Sequence, residues 1–215
     1  MKFETKAIHH GLDANSNYGE TVMPIFQSAA FSYEDAESLE NVFEGRRFGH
    51  VYSRISNPTV TSLEQRICSL ENARAAVAFN SGMAALHALC LAFVGPGESF
   101  VSSTSLFGGT YNMFRDVLEP LGIHIRYVDP SDVNAIKDAI DETTRFVFIE
   151  SIGNPKLDVP NVTAIADIAH AASIPLIVDN TLTTPYLLPA KELGADIVTN
   201  SATKYIGASG TSVGG

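Results

Sequence analysis

The chain is poor in charge, in basic residues and in cysteine. Charged residues make up 18% of its 215 residues and hydrophobic residues 45%. A disordered chain needs the opposite balance, so a folded chain with much buried surface is expected. Twenty-four acidic residues against 14 basic ones leave a net charge of −10. A field of that sign repels phosphate backbones, so nucleic acid is not expected as a partner. Cys68 and Cys90 alone can build neither a disulfide framework nor a four-thiolate metal site. Both fall in stretches patterned as helix and are expected as core thiols of a reducing compartment. The opening residues MKFETKAIHHGLD contain no apolar h-region. No apolar run approaches the ~20 residues a membrane span needs. The expectation is a cytoplasmic protein with no membrane partner.

Several motifs are missing as well. Gly95-Pro96-Gly97 lacks the third glycine of G-x-G-x-x-G, and there is no G-x-x-x-x-G-K-[ST], so a nicotinamide or ATP reading starts weak. There is no G-x-S-x-G, and the six histidines have no zinc-ligand spacing. His9 and His10 are adjacent and cannot share a helix face. His50, His87, His124 and His170 are scattered and are expected to be structural. No repeat period or low-complexity tract occurs.

What is present falls into two parts. Residues 1–57 carry Tyr18, Gly19, Phe26, Phe31, Tyr33, Phe43, Phe48 and Tyr52 in irregular order. This reads as an arm that lies on another surface. From Pro58 the pattern becomes regular. Residues 59–72 place Val60, Leu63, Ile67 and Leu70 at helical spacing, with Thr59 as the expected cap. Strands are predicted at 75–79, 99–102, 124–128, 145–150, 176–178 and 196–199. Helices are predicted at 82–93, 109–118, 132–140 and 162–171, with Pro120 stopping the second. Alternation of helices with continuous apolar strands predicts an α/β fold with a mostly parallel sheet, helix-covered on both faces. Ligands in such sheets bind in the loops after the strands. That directs attention to residues 80–83, 103–109, 150–155, 179–181 and 201–207.

Three of these loops carry chemistry. Asp179 follows an apolar strand; it either caps the next turn or pairs with a buried cation. Ser201, Thr203 and Lys204 follow the next strand. The hydroxyls suit a phosphate and the lysine suits a covalent bond to a carbonyl. Asn80, Ser81, Gly82 and Met83 open a helix, where main-chain N–H groups and the dipole favour an anion; alone, this segment is an ordinary N-cap. Phosphate cradle, carboxylate and lysine together match the phosphate, ring nitrogen and aldehyde of pyridoxal 5'-phosphate.

The stretches IHHG, PIFQSAAF, YSRISNPT, SGMAAL, SLFGGTYNMF, ESIGNP, IPLIVDNT, GADIVTNSATKYIG and GTSVGG resemble the cysteine and methionine metabolism family of pyridoxal-phosphate enzymes, over residues 5–215. HVYSRISNPT, ESIGNP and SATKYIG…GTSVGG are most similar to its O-acetylhomoserine sulfhydrylase branch. The resemblance implies a type-I aminotransferase-like large domain at 58–215, incomplete at its C-terminus, after an intersubunit arm at 1–57. The family's C-terminal domain, with an arginine for the substrate carboxylate, is absent from this chain, which is therefore expected to be a fragment. Lys204 is implied as the lysine that bonds the cofactor and later shuttles protons. Asp179 is implied as the partner of the ring nitrogen. Ser81, Gly82, Met83, Ser201 and Thr203 are implied as holding the phosphate, joined by Tyr52 and Arg54 from a neighbouring subunit. Asn154 is implied beside the ring, and Phe107 stacked on it. The implied activity is γ-replacement on O-acetylhomoserine with sulfide or a thiol, giving homocysteine and acetate in methionine biosynthesis, by a homo-oligomer, a dimer of dimers. Cystathionine γ-synthase or methionine γ-lyase activity, or a catalytically silent cofactor-binding fragment, are the alternatives. Two departures stand out: the family usually has tyrosine at Phe107, and Gly-His at Ala208-Ser209.

Overall fold

The computed structural model describes residues 1–12 and 19–215, so Tyr18 lies outside the described residues. The chain forms two compact units, Met1–Ala78 and Phe79–Gly215.

The first unit holds helices α1 (Phe3–His9), α2 (Ala36–Phe43) and α3 (Pro58–Leu70). The irregular aromatic pattern gave no sign of α1 and α2. Helix α2 carries its own start signal: the Asp35 carboxylate accepts from the Ser38 N–H at 2.7 Å. The cap of α3 is Asn57 rather than Thr59. The Asn57 side chain accepts from the Thr59 N–H, with Pro58 at the first helical position, where a missing N–H costs nothing. The Thr59 hydroxyl turns elsewhere, donating to the Pro24 carbonyl and accepting from the Phe26 N–H. Residues 75–79 are not a strand. Among the described residues their ladder bonding is confined to a reciprocal pair, in which Phe79 and Gly215 each donate to the other's carbonyl at 2.8 and 3.0 Å.

The second unit begins with α4 (Gly82–Phe93) and β1 (Ser99–Ser103). Helix α5 (Gly108–Met113) continues into a π-helical turn over Phe114–Leu118 and a 3-10 turn over Glu119–Leu121. Gly122, at φ 81°, then ends it in the left-handed conformation glycine tolerates. There follow β2 (His124–Val128), α6 (Val133–Asp138), β3 (Thr144–Glu150), α7 (Val162–Ala171), β4 (Leu176–Asp179), α8 (Thr184–Leu187) and β5 (Ile197–Thr199). Helix α6 starts one residue later than expected because Asp132 is its cap, accepting from the Asn134 and Ala135 N–H groups, and it ends at Asp138. The five strands form one sheet in the order β2-β1-β3-β4-β5, every pair parallel.

Strand alternation sorts the core by shape. Phe100, Phe146, Phe148 and Ile177 face one way, with Leu86 and Cys90 of α4 and Phe114 and Leu118 beyond α5. Phe100 stacks on Phe146 at 4.4 Å, and Phe114 meets Phe100 and Phe148 edge-on at 4.9 and 5.6 Å. Val101, Val147, Ile149, Leu176 and Val178 face the other way, against Ile136 of α6 and Ile165, Ala166 and Ala169 of α7. Both cysteines are free thiols, and burial pushes Cys90 up to about 12, out of reactive range. No helix among the described residues is long and apolar enough to cross a membrane.

Candidate functional site

The order 2-1-3-4-5 reverses direction between β1 and β3, which is where doubly wound sheets open a crevice at the strand ends. The loops after β1, β3, β4 and β5 all reach this edge.

At one end lies the start of α4. The Ser81 hydroxyl accepts from the Ala84 N–H at 3.1 Å, the ordinary N-cap role, leaving the N–H groups of Gly82 and Met83 without intrahelical acceptors. The Met83 side chain packs into the aromatic core, which anchors the turn. Gly82 presses on the loop after β5: a Cβ there would sit 2.7 Å from the Ser201 Cβ and 2.9 Å from its Cα. Glycine is required by this close approach. The Ser201 N–H donates to the Thr181 hydroxyl at 2.7 Å, and the Thr181 N–H donates to the Asp179 carboxylate at 3.0 Å. The Thr203 hydroxyl is tied to the main chain of Gly214 at 3.0 and 3.2 Å. Hydrogen bonds therefore link Asp179 through Thr181 to Ser201, which packs against the helix start.

Asp179 ends β4 directly opposite Glu150 at the end of β3. Burial raises the Asp179 carboxyl above its usual range, against the pull of the hydrogen bond from Thr181. Glu150 is 7% exposed. Burial first, and then Asp179 and Asp158, push it up to about 8, while the Phe107 and Asn154 N–H groups act in the opposite sense. Neither carboxyl has a salt-bridge partner among the described residues.

The Phe107 N–H donates to Glu150 Oε1 at 2.7 Å, leaving the Phe107 ring 46% exposed. A Cβ at Gly109 would meet that ring at 2.5 Å, so glycine there makes room for it. Asn154 follows β3 on the neighbouring loop. Lys204 is exposed, its N–H bonded to the Ser201 carbonyl at 3.1 Å. Ala208, where the family pattern has glycine, adopts φ 52°, a conformation that costs a Cβ-bearing residue ~1 kcal/mol. Tyr52 and Arg54 belong to the first unit, where the guanidinium lies 5.5 Å from the Tyr52 ring centre and Tyr52 is 43% exposed.

These residues fit pyridoxal phosphate. A desolvated carboxylate without a cation is costly, and a protonated ring nitrogen would supply one at the half-buried Asp179. Free amides at the start of α4, with nearby hydroxyls, suit a phosphate.

An α/β fold with this edge defines a phosphate-cofactor binding unit of the aminotransferase-like kind. Residues 4–215 match the model of the family described as Cys/Met metabolism PLP-dependent enzyme, and the chain belongs to that family. It is 41% identical to a homocysteine synthase of Schizosaccharomyces pombe, covering 99% of this chain and 50% of that protein. It is 42% identical to an O-acetyl-L-homoserine sulfhydrylase of Corynebacterium glutamicum, covering 99% and 49%. A Campylobacter jejuni crystal structure described as an O-acetylhomoserine (thiol)-lyase superposes with a TM-score of 0.94 at 31% identity, covering all of this chain and 52% of that one; it carries N'-pyridoxyl-lysine-5'-monophosphate. The chain spans about half the length of the curated relatives it matches.

Glu150 and Thr181 lie in loops to which the sequence directs attention but were given no role there, and Asp158 lies outside those loops. For Glu150 the signal was there: it closes an apolar strand, as Asp179 does. Thr181 and Asp158 act through tertiary contacts that no local pattern announces.

Proposed function

We propose that the intact protein carries out γ-replacement on O-acetylhomoserine, with sulfide or a thiol as the incoming group and homocysteine and acetate as products. What supports this most is the placement of Asp179: a half-buried residue whose carboxyl is raised by desolvation and has no cationic partner among the described residues, on the same sheet edge as Lys204 and the start of α4. When bound, pyridoxal phosphate supplies the electron sink that such a replacement needs.

In this reading Asp179 keeps a proton on the ring nitrogen. The amides of Gly82 and Met83, with the hydroxyls of Ser81, Ser201 and Thr203, hold the phosphate. Lys204, whose exposed amine has no salt-bridge partner among the described residues, anchors the aldehyde and then carries protons. Phe107 covers the ring; lacking a hydroxyl, it stacks without taking part in proton transfer. Asn154 borders the ring and substrate.

Residues 1–57 serve in this reading as an intersubunit arm, before a large domain at 58–215. Tyr52 and Arg54 then complete the phosphate site of a second copy. The exposure of Val22, Ile25, Phe43, Phe48 and Ile55 suits such a role. A strictly monomeric species in sedimentation, with full cofactor occupancy, would contradict the arm.

Two measurements test the reading. Borohydride reduction of the yellow protein, followed by peptide mapping, should place the label on Lys204, and Lys204→Ala should abolish it. Side-by-side assays should find O-acetylhomoserine plus sulfide turned over faster than O-succinylhomoserine plus cysteine, or methionine alone. The reverse order would replace the proposed activity with one of its relatives.

A further inference from the structure

Two ties lash the loop after β1 to β3 and the loop that follows it. The Phe107 N–H donates to Glu150 Oε1, and the Ser105 hydroxyl donates to Asp158 Oδ2, each at 2.7 Å. Gly153 is hemmed in by this arrangement, since a Cβ there would collide with Asp158 Oδ1 and come within 2.6 Å of the Ser105 Cβ. Glu150 is nearly inaccessible and stands beside two further acids, Asp179 on β4 and Asp158 on its own loop. A carboxyl there works against burial and like charge, so packing alone does not account for it. What it gains is the main-chain donor of Phe107, the residue placed on the cofactor ring.

We propose that Glu150 is a positioning residue, whose carboxyl accepts the main-chain N–H of Phe107 and so holds the stacking aromatic in place before the cofactor arrives. The role at the ring rests on the cofactor reading above; the clamp itself does not. A preset loop spares the ordering cost that binding would otherwise carry. Glu150 need not touch the cofactor to do this.

The test compares wild type with Glu150→Gln, which keeps an acceptor oxygen, and with Glu150→Met and Glu150→Leu, which keep bulk without one. The first readout is hydrogen exchange of the Phe107 amide in cofactor-free protein. The second is pyridoxal phosphate affinity from absorbance titration. Loss of one such bond is worth roughly tenfold. The Met and Leu variants should therefore exchange Phe107 about tenfold faster and bind cofactor about tenfold more weakly, while Gln stays within about threefold of wild type on both. Unchanged Phe107 exchange in the Met and Leu variants would overturn the clamp. Faster exchange with unaltered cofactor affinity would overturn the positioning role. Wild-type protein that takes up no pyridoxal phosphate would end the cofactor reading and the role at the ring, with the exchange data still reporting on the clamp.

Discussion

Glu150 and Asp179 lie side by side at the ends of neighbouring strands, and burial sets the protonation of both. Below its ordinary value of 4.5, Glu150 is protonated whether the chain is folded or not. As pH rises towards about 8, the unfolded chain releases this proton while the folded chain keeps it. Folding stability therefore falls through that window, at up to about 1.4 kcal/mol per pH unit from this group. Glu150→Gln removes the titration and keeps an acceptor. Its stability relative to wild type, measured by urea unfolding, should rise by a few kcal/mol between pH 5 and pH 8. A difference that does not change across that range would show that the carboxyl titrates normally. Asp179 has a raised carboxyl for the same reason, but a cation at the ring would bring it back down, so bound cofactor should oppose its part of this loss.

At the scale of elements, the site depends on the start of α4 touching the loop after β5. Gly82 makes that contact possible, because a Cβ there would run into main-chain and side-chain atoms of Ser201. In an isolated helix Gly82→Ala would be mildly favourable. Here it has to separate two loops, with an overpacking cost of ~1–3 kcal/mol. The expected outcome is a lower thermal midpoint and a weakened cofactor phosphate site. A variant as stable as wild type with unaltered cofactor affinity would show that the loops are not closely apposed. Legibility of the elements varied with their surroundings. Helices α4 and α7 and strand β2 were predicted at their observed bounds, since apolar pattern and caps agree there. Residues 75–79 carry a strand-like pattern, but a strand needs a ladder, and among the described residues only the pair Phe79 and Gly215 supplies bonds of that kind to it. Helix α2 failed in the other direction. Its Leu39, Val42 and Phe43 have helical spacing but lay hidden in a stretch dominated by aromatic residues without period.

The second unit as a whole is held by one sheet with two unlike faces. Phe148 sits at the centre of the aromatic face, wholly buried and edge-on to Phe114. Phe148→Ala should cost ~3–5 kcal/mol, seen as a large drop in urea midpoint, whereas truncating an exposed side chain such as Tyr205 should stay within about 0.5 kcal/mol. Equal effects from the two would mean that the sheet does not carry the stability. The same residue lies two positions before Glu150, so the packing that holds β3 in register also sets where the Phe107 clamp begins.

Strand alternation and the residues after each apolar run were enough to determine an α/β chain, its parallel sheet and the candidate lysine and aspartate, and the ordered motifs carried the family resemblance, because those are properties of local order along the chain. The tertiary structure alone decided that Glu150 faces Asp179, that Gly82 abuts Ser201, and that Thr181 links Asp179 to the loop carrying Lys204. Each of these needs two segments far apart in sequence to arrive at one edge of the sheet. Burial, the quantity that shifts a carboxyl's protonation, exists only once they have.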